Sequence, residues 1–195
     1  MCNDYRLLER VPVEEIFAGF GAVLATPEGL PNFEPREDIR ITDRAPIVRA
    51  AGDGSGAFEL VQRRWSWPAP NGRPVYNFRS EGRDLSRGRC LILADGFYEF
   101  TANADPAARR KHKWLFTLNG AASFAIAGLW RRDPAVGEAF TMLTTAPGAD
   151  VAPYHDRGIA VLPPACWTRW LDPAVPAAQL LAPPPAGSLA VRQLA

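Results

Sequence analysis

The chain has few residues that could bind a metal or crosslink the fold. It contains three cysteines and two histidines among 195 residues. Cys2, Cys90 and Cys166 are too scattered for a disulfide scaffold or a zinc cluster. The sequence also lacks the glycine-rich phosphate loop that nucleotide hydrolysis or dinucleotide redox chemistry requires. We therefore expect no metal and no cofactor.

Long hydrophobic runs are missing as well. No apolar segment reaches the roughly 18 residues that a membrane span needs. Charged residues interrupt the N-terminal segment at Asp4, Arg6, Glu9 and Arg10, so it does not match a secretory signal. An odd number of cysteines suits reduced thiols. We expect a soluble, cytoplasmic protein.

The composition predicts one globular domain rich in loops. Hydrophobic residues make up 47% and charged residues 22%, with 16 glycines and 19 prolines. A short amphipathic helix is predicted from Pro12 to near Gly21, and residues 26–46 are predicted to be a loop. The clearest hairpin turns at Asn119-Gly120. Strands are predicted at 46–51, 57–65, 75–79, 90–94, 97–101, 114–118, 123–130, 139–145, 159–162 and 188–193, and a second helix at 164–171.

Many short strands with few helices indicate an α+β fold. We predict a single domain over residues 1–195, with a mixed, mostly antiparallel, β-barrel-like core and a few short helices. Residues 1–175 form the predicted core, and residues 176–195 form a C-terminal tail that packs on it.

Positive charge is concentrated in the middle of the chain. Residues 63–113 hold eleven basic residues against five acidic ones, whereas residues 1–62 hold six against eleven. Twenty of the 22 basic residues are arginine, whose planar fork fits phosphate oxygens. This pattern suits a phosphate-binding surface, although codon bias and a solvated face would also produce it. The run 109–113 is predicted to be a solvated or phosphate-facing loop.

Cys2 is the most unusual residue of the sequence. Removal of Met1 would leave one residue with both an α-amine and a thiol. The amine can condense with an aldehyde, and the thiol can then close a five-membered thiazolidine ring, a favourable intramolecular step. The alternative is an incidental cysteine at a frayed terminus.

Other candidate residues lie in strands and in one loop. Asn77 and Arg79 would share one face of a strand, which is also what an ordinary half-buried strand shows. Glu99 lies between Tyr98 and Phe100, and apolar surroundings would raise its pKa toward the range of a general acid–base, unless it faces solvent on an edge strand. His155 lies in a loop after a proline-rich stretch.

Two tryptophans, Trp65 and Trp67, border the basic segment. Together with the arginines they could stack on unpaired bases of a single strand. Two tryptophans spaced by two in a strand are equally consistent with packing in the core or at a sheet edge.

In combination and in order, these elements resemble the SOS-response-associated peptidase (SRAP) family, whose members process abasic sites. The resemblance runs through Cys2, the Asn77-x-Arg79-Ser80-Glu81 element, the segment 90–100, the segments 127–130 and 143–146, His155-Asp156-Arg157 and the segment 162–171.

The resemblance implies a function in the DNA damage response. Cys2 would form a thiazolidine crosslink with an abasic site in single-stranded DNA and would also carry the peptidase activity of the family name. Asn77 would orient the N-terminus and the sugar remnant, Glu99 would shuttle protons during imine formation, and His155 would assist ring closure of the sugar and crosslink reversal. Arg79 and Arg157 would hold phosphates. The expected partner is abasic single-stranded DNA, with no metal and no membrane, bound by a monomer.

Three segments depart from the family pattern. Asn3-Asp4 stands where the family has Gly-Arg, Ser66-Trp67 where it has Gly-Leu, and Gly158-Ile159 where it has Met-Pro. Two other functions stay open from the residues alone. One is a thiol peptidase that uses Cys2, His155 and Asn77, and the other is a non-catalytic single-strand-binding module.

Overall fold

The structure is a computed structural model that describes residues 2–8, 11–31, 33–105, 107 and 110–194. Met1, Glu9, Arg10 and Arg109, which entered the sequence argument, lie outside the described residues. The strands are β1 (Asp4–Leu7), β2 (Leu24–Ala25), β3 (Arg36–Arg40), β4 (Arg44–Ala50), β5 (Phe58–Trp65), β6 (Trp67–Pro68), β7 (Pro74–Val75), β8 (Asn77–Arg79), β9 (Arg89–Ala94), β10 (Gly96–Thr101), β11 (His112–Leu118), β12 (Phe124–Asp133), β13 (Gly137–Thr145), β14 (Gly158–Ile159), β15 (Val161–Leu162) and β16 (Leu189–Gln193). The helices are α1 (Val13–Gly19), α2 (Trp167–Leu171) and one-turn 3-10 helices at Pro164–Cys166 and Ala177–Gln179.

Five strands close into a barrel. The order β13-β12-β9-β4-β5 is antiparallel throughout, and a parallel pairing between β13 and β5 joins the two ends. A closed sheet leaves no unpaired edge between these strands, and their inward side chains fill the interior. Strand β8 pairs in parallel with β13, which places Asn77 opposite Met142.

A second sheet has the strand order β16-β11-β10-β1-β3 and is antiparallel. The chain passes from the barrel to this sheet between β9 and β10, at the buried residue Asp95. Asp95 accepts hydrogen bonds from Arg6 Nε and from the backbone N–H of Leu8, and so ties the end of β1 to the junction. Strand β1 therefore lies where the two sheets meet.

The α+β prediction with a mainly antiparallel, barrel-like core is confirmed. The turn predicted at Asn119-Gly120 is present, with a positive φ of 76° at Gly120, but the predicted hairpin is wrong. Strand β11 pairs with β10 and β16, whereas β12 pairs with β9 and β13, so this turn connects the two sheets. The tail contributes β16, which pairs over its whole length with residues 114–118 of β11.

Two other local predictions are wrong. Residues 26–46 are not all loop, because β3 forms at Arg36–Arg40 and pairs with β1. Its single buried residue, Ile39, gives too weak an apolar signal for sequence patterning to detect. The charge run is not wholly a loop either, because His112 and Lys113 begin β11 and Lys113 is partly buried.

Candidate active site

Cys2 is separated from the start of β1 by Asn3 alone, and its side chain is completely buried. The thiol donates a hydrogen bond to the backbone oxygen of Asp4 over 3.2 Å. Burial raises the pKa of the Cys2 thiol far above its ordinary range, and the negative charge of Glu99 adds to the shift. The thiol is therefore protonated at neutral pH, and it needs a base before it can act as a nucleophile.

Asn77 holds the backbone of Cys2 directly. Its Nδ2 donates a hydrogen bond to the carbonyl oxygen of Cys2 over 2.7 Å. The amide oxygen, Asn77 Oδ1, is buried and has no hydrogen-bond partner among the described residues. A buried amide oxygen without a donor is unusual and is available to a bound group that carries an N–H or O–H.

Glu99 lies on β10 with 2% of its surface exposed. Burial raises the pKa of its carboxyl from 4.5 to about 7, although a hydrogen bond from the backbone N–H of Cys2 opposes the shift. The side chain therefore exchanges protons near neutral pH and contacts the nitrogen that becomes the α-amine once Met1 is removed. From the sequence, Glu99 could have apolar surroundings or face solvent on an edge strand. Its burial on β10 matches the first alternative.

His155 is a neutral imidazole in this structure. Its Nδ1 accepts a hydrogen bond from the backbone N–H of Arg157 over 2.9 Å, and burial lowers its pKa. The exposed Asp156 carboxylate lies 2.8 Å from the same Nδ1, and it accepts a hydrogen bond from this nitrogen when Nδ1 carries the proton.

Glu99 and His155 line one pocket of about 290 Å³, together with Asn3, Phe100 and Lys111. This volume is at the lower end of the range for small-ligand sites. Sequence reasoning missed Asn3 and Lys111 as pocket residues, although the position of Lys111 in the charge run was a usable signal. A larger cavity of about 450 Å³, beside Phe58 and Arg169, contains none of the predicted site residues.

The two predicted phosphate contacts differ in their surroundings. Arg79 is exposed at the end of β8 and makes no ion pair among the described residues. Arg157 forms a bidentate ion pair with Glu81, with N–O distances of 2.7 and 2.8 Å, and the hydrogen bonds from Arg157 hold the pKa of Glu81 down at about 2. Arg157 can therefore bind a phosphate only if it shares its hydrogen bonds with Glu81 or breaks them. The sequence did not indicate this role of Glu81.

The two tryptophans are packed into the protein. Trp65 is completely buried, donates from Nε1 to the backbone oxygen of Tyr76 and lies edge-on to the ring of Tyr5. Trp67 is 6% exposed, and the Arg131 guanidinium covers its ring at 4.4 Å. In this conformation neither ring has a face that a base could stack on. Both tryptophans therefore match the alternative of packing in the core or at a sheet edge.

The structure therefore brings Asn77 and Glu99 each into contact with the backbone of Cys2, and His155 lines the same pocket as Glu99. Among the described residues no group of three or more histidine, cysteine, aspartate or glutamate side chains could hold a metal ion. No helix in the described part of the chain is long and apolar enough to cross a membrane.

Comparison with known proteins places this fold in a family. A search of curated proteins found no match. Solved structures with the same fold include a protein from Bordetella bronchiseptica (24% identity, TM-score 0.68, 100% of both chains covered) and a phage-related protein from the same organism (22%, 0.72, 99% of this chain and 94% of that one). A protein from Bacteroides thetaiotaomicron is similar at 16% identity and a TM-score of 0.69, over 98% of this chain and 92% of its own. The family model of the SOS response associated peptidases matches residues 1–195, and the chain belongs to this SRAP family.

Proposed function

We propose that this chain forms a covalent crosslink with abasic sites in single-stranded DNA, through the α-amine and the thiol of Cys2 after removal of Met1. The observation that carries the proposal is the contact between the buried carboxyl of Glu99 and the backbone nitrogen of Cys2. A carboxyl with a pKa of about 7 can both take a proton from an amine and return one to a leaving hydroxyl.

The reaction has two stages. The Cys2 amine attacks the aldehyde of the ring-opened abasic sugar, forms a carbon–nitrogen bond, and expels one water to leave an imine. The Cys2 sulfur then bonds to the imine carbon while its proton moves to the nitrogen, which closes the thiazolidine ring. Glu99 is in position to move the protons of the first stage.

The order of these stages follows from the burial of the thiol. A thiol whose pKa is raised is a weak nucleophile at neutral pH, whereas an α-amine has an ordinary pKa of about 7.7–8.0 and is partly neutral. The amine therefore reacts first. The same feature argues against a thiol peptidase, which needs a thiolate for its first step.

The surrounding residues bind and orient the substrate. Asn77 fixes the Cys2 carbonyl and leaves its own Oδ1 to accept a hydrogen bond from a sugar hydroxyl or from the amine. The His155 ring lines the same pocket as Glu99 and can donate to an oxygen of the sugar during ring opening. Arg79 is exposed and can bind a phosphate beside the lesion.

Intact mass spectrometry with an abasic oligonucleotide tests the proposal. We expect an adduct equal in mass to protein lacking Met1 plus DNA less one water. A variant forced to retain residues before Cys2 should form none, because the nitrogen of Cys2 is then an amide whose lone pair is delocalised. Cys2→Ser and Cys2→Ala should form only an imine that borohydride traps.

The same samples separate the other two functions. Cleavage of casein without an adduct would support a thiol peptidase, and a salt-sensitive gel shift without an adduct would support a binding module. A retained extension that crosslinks as fast as the mature chain would show that the amine is not the nucleophile.

A further inference from the structure

Residues 2–4 of the chain have backbone pairing on one side only. Asp4 pairs with Arg40 of β3, whereas the ladder between β1 and β10 pairs Tyr5 with Phe97 and Arg6 with Gly96 and does not extend to Cys2 or Asp4. Yet these first residues must keep the Cys2 nitrogen against Glu99. Side chains therefore have to supply part of the support, and the hydrogen bond from Asn77 is one such contact.

Lys113 supplies a second contact from the opposite face of the sheet. Its Nζ lies 3.0 Å from Asp4 Oδ2 and 2.8 Å from Asp38 Oδ1, and it sits 3.7 Å from the centre of the Tyr98 ring. These residues belong to four adjacent strands, β11, β10, β1 and β3. Because side chains alternate along β10, Tyr98 and Glu99 point to opposite faces.

We propose that Lys113 is a positioning residue, which holds Asp4 and so keeps the Cys2 nitrogen in contact with Glu99. The inference rests on the proposed crosslinking function and adds a residue to its machinery. Lys113 does not line the pocket with Glu99 and His155, so it acts through Asp4 and not on the substrate.

Charge explains why a cation is needed at this position. Asp4 is 6% exposed and faces a second carboxylate, Asp38, so that two negative charges would meet in a poorly solvated place without Lys113. The other groups around this cluster are the Tyr98 hydroxyl, Arg6, whose charge also reaches Tyr98, and Arg40, which pairs with Asp38 from the exposed side at 3.3 Å.

Asp4 also has a protonated form that would need no cation. Burial raises its pKa to about 6, and a hydrogen bond with Asp38 favours the protonated form. Below about pH 6 the two acids can share a proton, and above it Lys113 must hold them together.

The test compares crosslinking rates of Lys113→Met, Arg40→Met and the double variant Lys113→Met with Asp4→Asn, at about pH 5.5 and about pH 8. We expect Lys113→Met to crosslink about 10- to 100-fold more slowly at the higher pH, the loss typical of a misplaced reacting group. Its defect should shrink at the lower pH. The double variant should recover most of the rate, because the uncharged amide introduced by Asp4→Asn can donate a hydrogen bond to Asp38. Arg40→Met, the matched control on the same carboxylate, should react at the parent rate.

Affinity for an intact single strand should stay unchanged in all variants, because the role proposed for Lys113 is internal to the protein, where its ammonium is paired with Asp4 and Asp38. A parent rate for Lys113→Met at the higher pH would overturn the inference. The inference would also be overturned if Lys113→Met crosslinked equally slowly at both pH values and the added Asp4→Asn substitution did not restore the rate.

Amide hydrogen exchange at Asn3 and at position 4 keeps the test independent of the proposed function. Lys113→Met should speed this exchange above pH 6, and the double variant should restore it, even if the parent forms no crosslink. Crosslinking by the parent together with unchanged exchange in Lys113→Met would retain the proposed function and remove Lys113 from it.

Discussion

A carboxyl group can shuttle protons only where both of its forms are populated, and Glu99 meets that condition near neutral pH. The sequence indicated the aromatic neighbours of Glu99 but not the hydrogen bond from the Cys2 nitrogen, because residues 97 positions apart meet only through the fold. From the sequence, only the family resemblance, and not the spacing, predicted that Cys2, Asn77 and Glu99 belong to one site.

Glu99→Gln should slow crosslinking by about 10²–10⁴-fold, the usual contribution of general acid–base catalysis. Glutamine keeps the size of the side chain and a hydrogen-bonding oxygen but can no longer exchange a proton near pH 7. Single-strand affinity, measured by fluorescence anisotropy, should change little. Crosslinking at the parent rate would remove Glu99 from the mechanism.

The pairing of Arg157 with Glu81 predicts opposite effects of two substitutions on DNA binding. Arg79→Ala should weaken binding to intact and abasic strands alike and reduce the log–log salt slope by roughly 0.7, the value for one phosphate contact. Glu81→Gln should strengthen binding by up to about fivefold, because it releases Arg157 from a partly exposed ion pair. Unchanged affinity in Glu81→Gln would mean that Arg157 has a purely structural role.

At the scale of elements, sequence patterning found the strands that are apolar and missed those that are not. The long buried strands β9, β12 and β13 have strong apolar signals. Strands β1 and β3 carry charged side chains whose partners are distant in sequence, as in the contact of Lys113 with Asp4 and Asp38. No local pattern predicts such pairings, although β1 directly follows the segment that carries the nucleophile Cys2 and β3 pairs with β1.

Helix α2 shows how a buried arginine stabilises a short element. Five residues are too few for a stable isolated helix. Arg89, which is 7% exposed, donates hydrogen bonds from Nη1 to the backbone oxygens of Trp170, Asp172 and Val175. Its guanidinium also lies 4.8 Å from the Trp170 ring, so that the end of α2 is joined to β9.

Arg89→Met should therefore lower the free energy of unfolding by about 2–4 kcal/mol, because several buried carbonyl groups lose a charged donor at once. Urea denaturation measures this change, and the exposed neighbour Arg87→Met is the matched control, with an expected change within about 0.5 kcal/mol. Crosslinking by the folded fraction should be unaffected, since Arg89 binds the end of α2 and does not line the pocket with Glu99 and His155. Equal stability of the two variants would show that the carbonyl contacts contribute nothing.

For the whole molecule, the α+β class and the single domain follow from strand and turn patterns, but the closure of the barrel does not. Closure depends on the parallel pairing of β13 with β5, at Phe140 and Trp65, which are 75 positions apart. The burial of Trp65 follows from that closure, and sequence reasoning that considered its strand alone could equally favour an exposed stacking surface.

Burial of acids at the site also predicts an unusual pH dependence of stability. Burial raises the pKa of Glu99 from 4.5 to about 7, so its contribution to stability is fully present below about pH 4.5 and is lost as the pH rises through about 7. Asp4, with its pKa raised by burial to about 6, changes stability in the same direction. Because these carboxylates are ionised and buried above neutral pH, they lower the stability of the folded protein there.

From about pH 5 to about pH 8, the unfolding free energy of Glu99→Gln relative to that of the parent should therefore increase by on the order of 3 kcal/mol. Urea denaturation at several pH values measures it. Glu138→Gln is the matched control: although burial acts to raise the pKa of Glu138, hydrogen bonds from Arg63 and the charge of Arg49 hold it below its ordinary value. Glu138 is thus ionised in both folded and unfolded chains throughout this range, and its difference from the parent should not vary with pH. If the Glu99→Gln difference is equally constant, the Glu99 carboxyl is already ionised in the folded protein at about pH 5, and it cannot deliver the proton that the leaving hydroxyl requires.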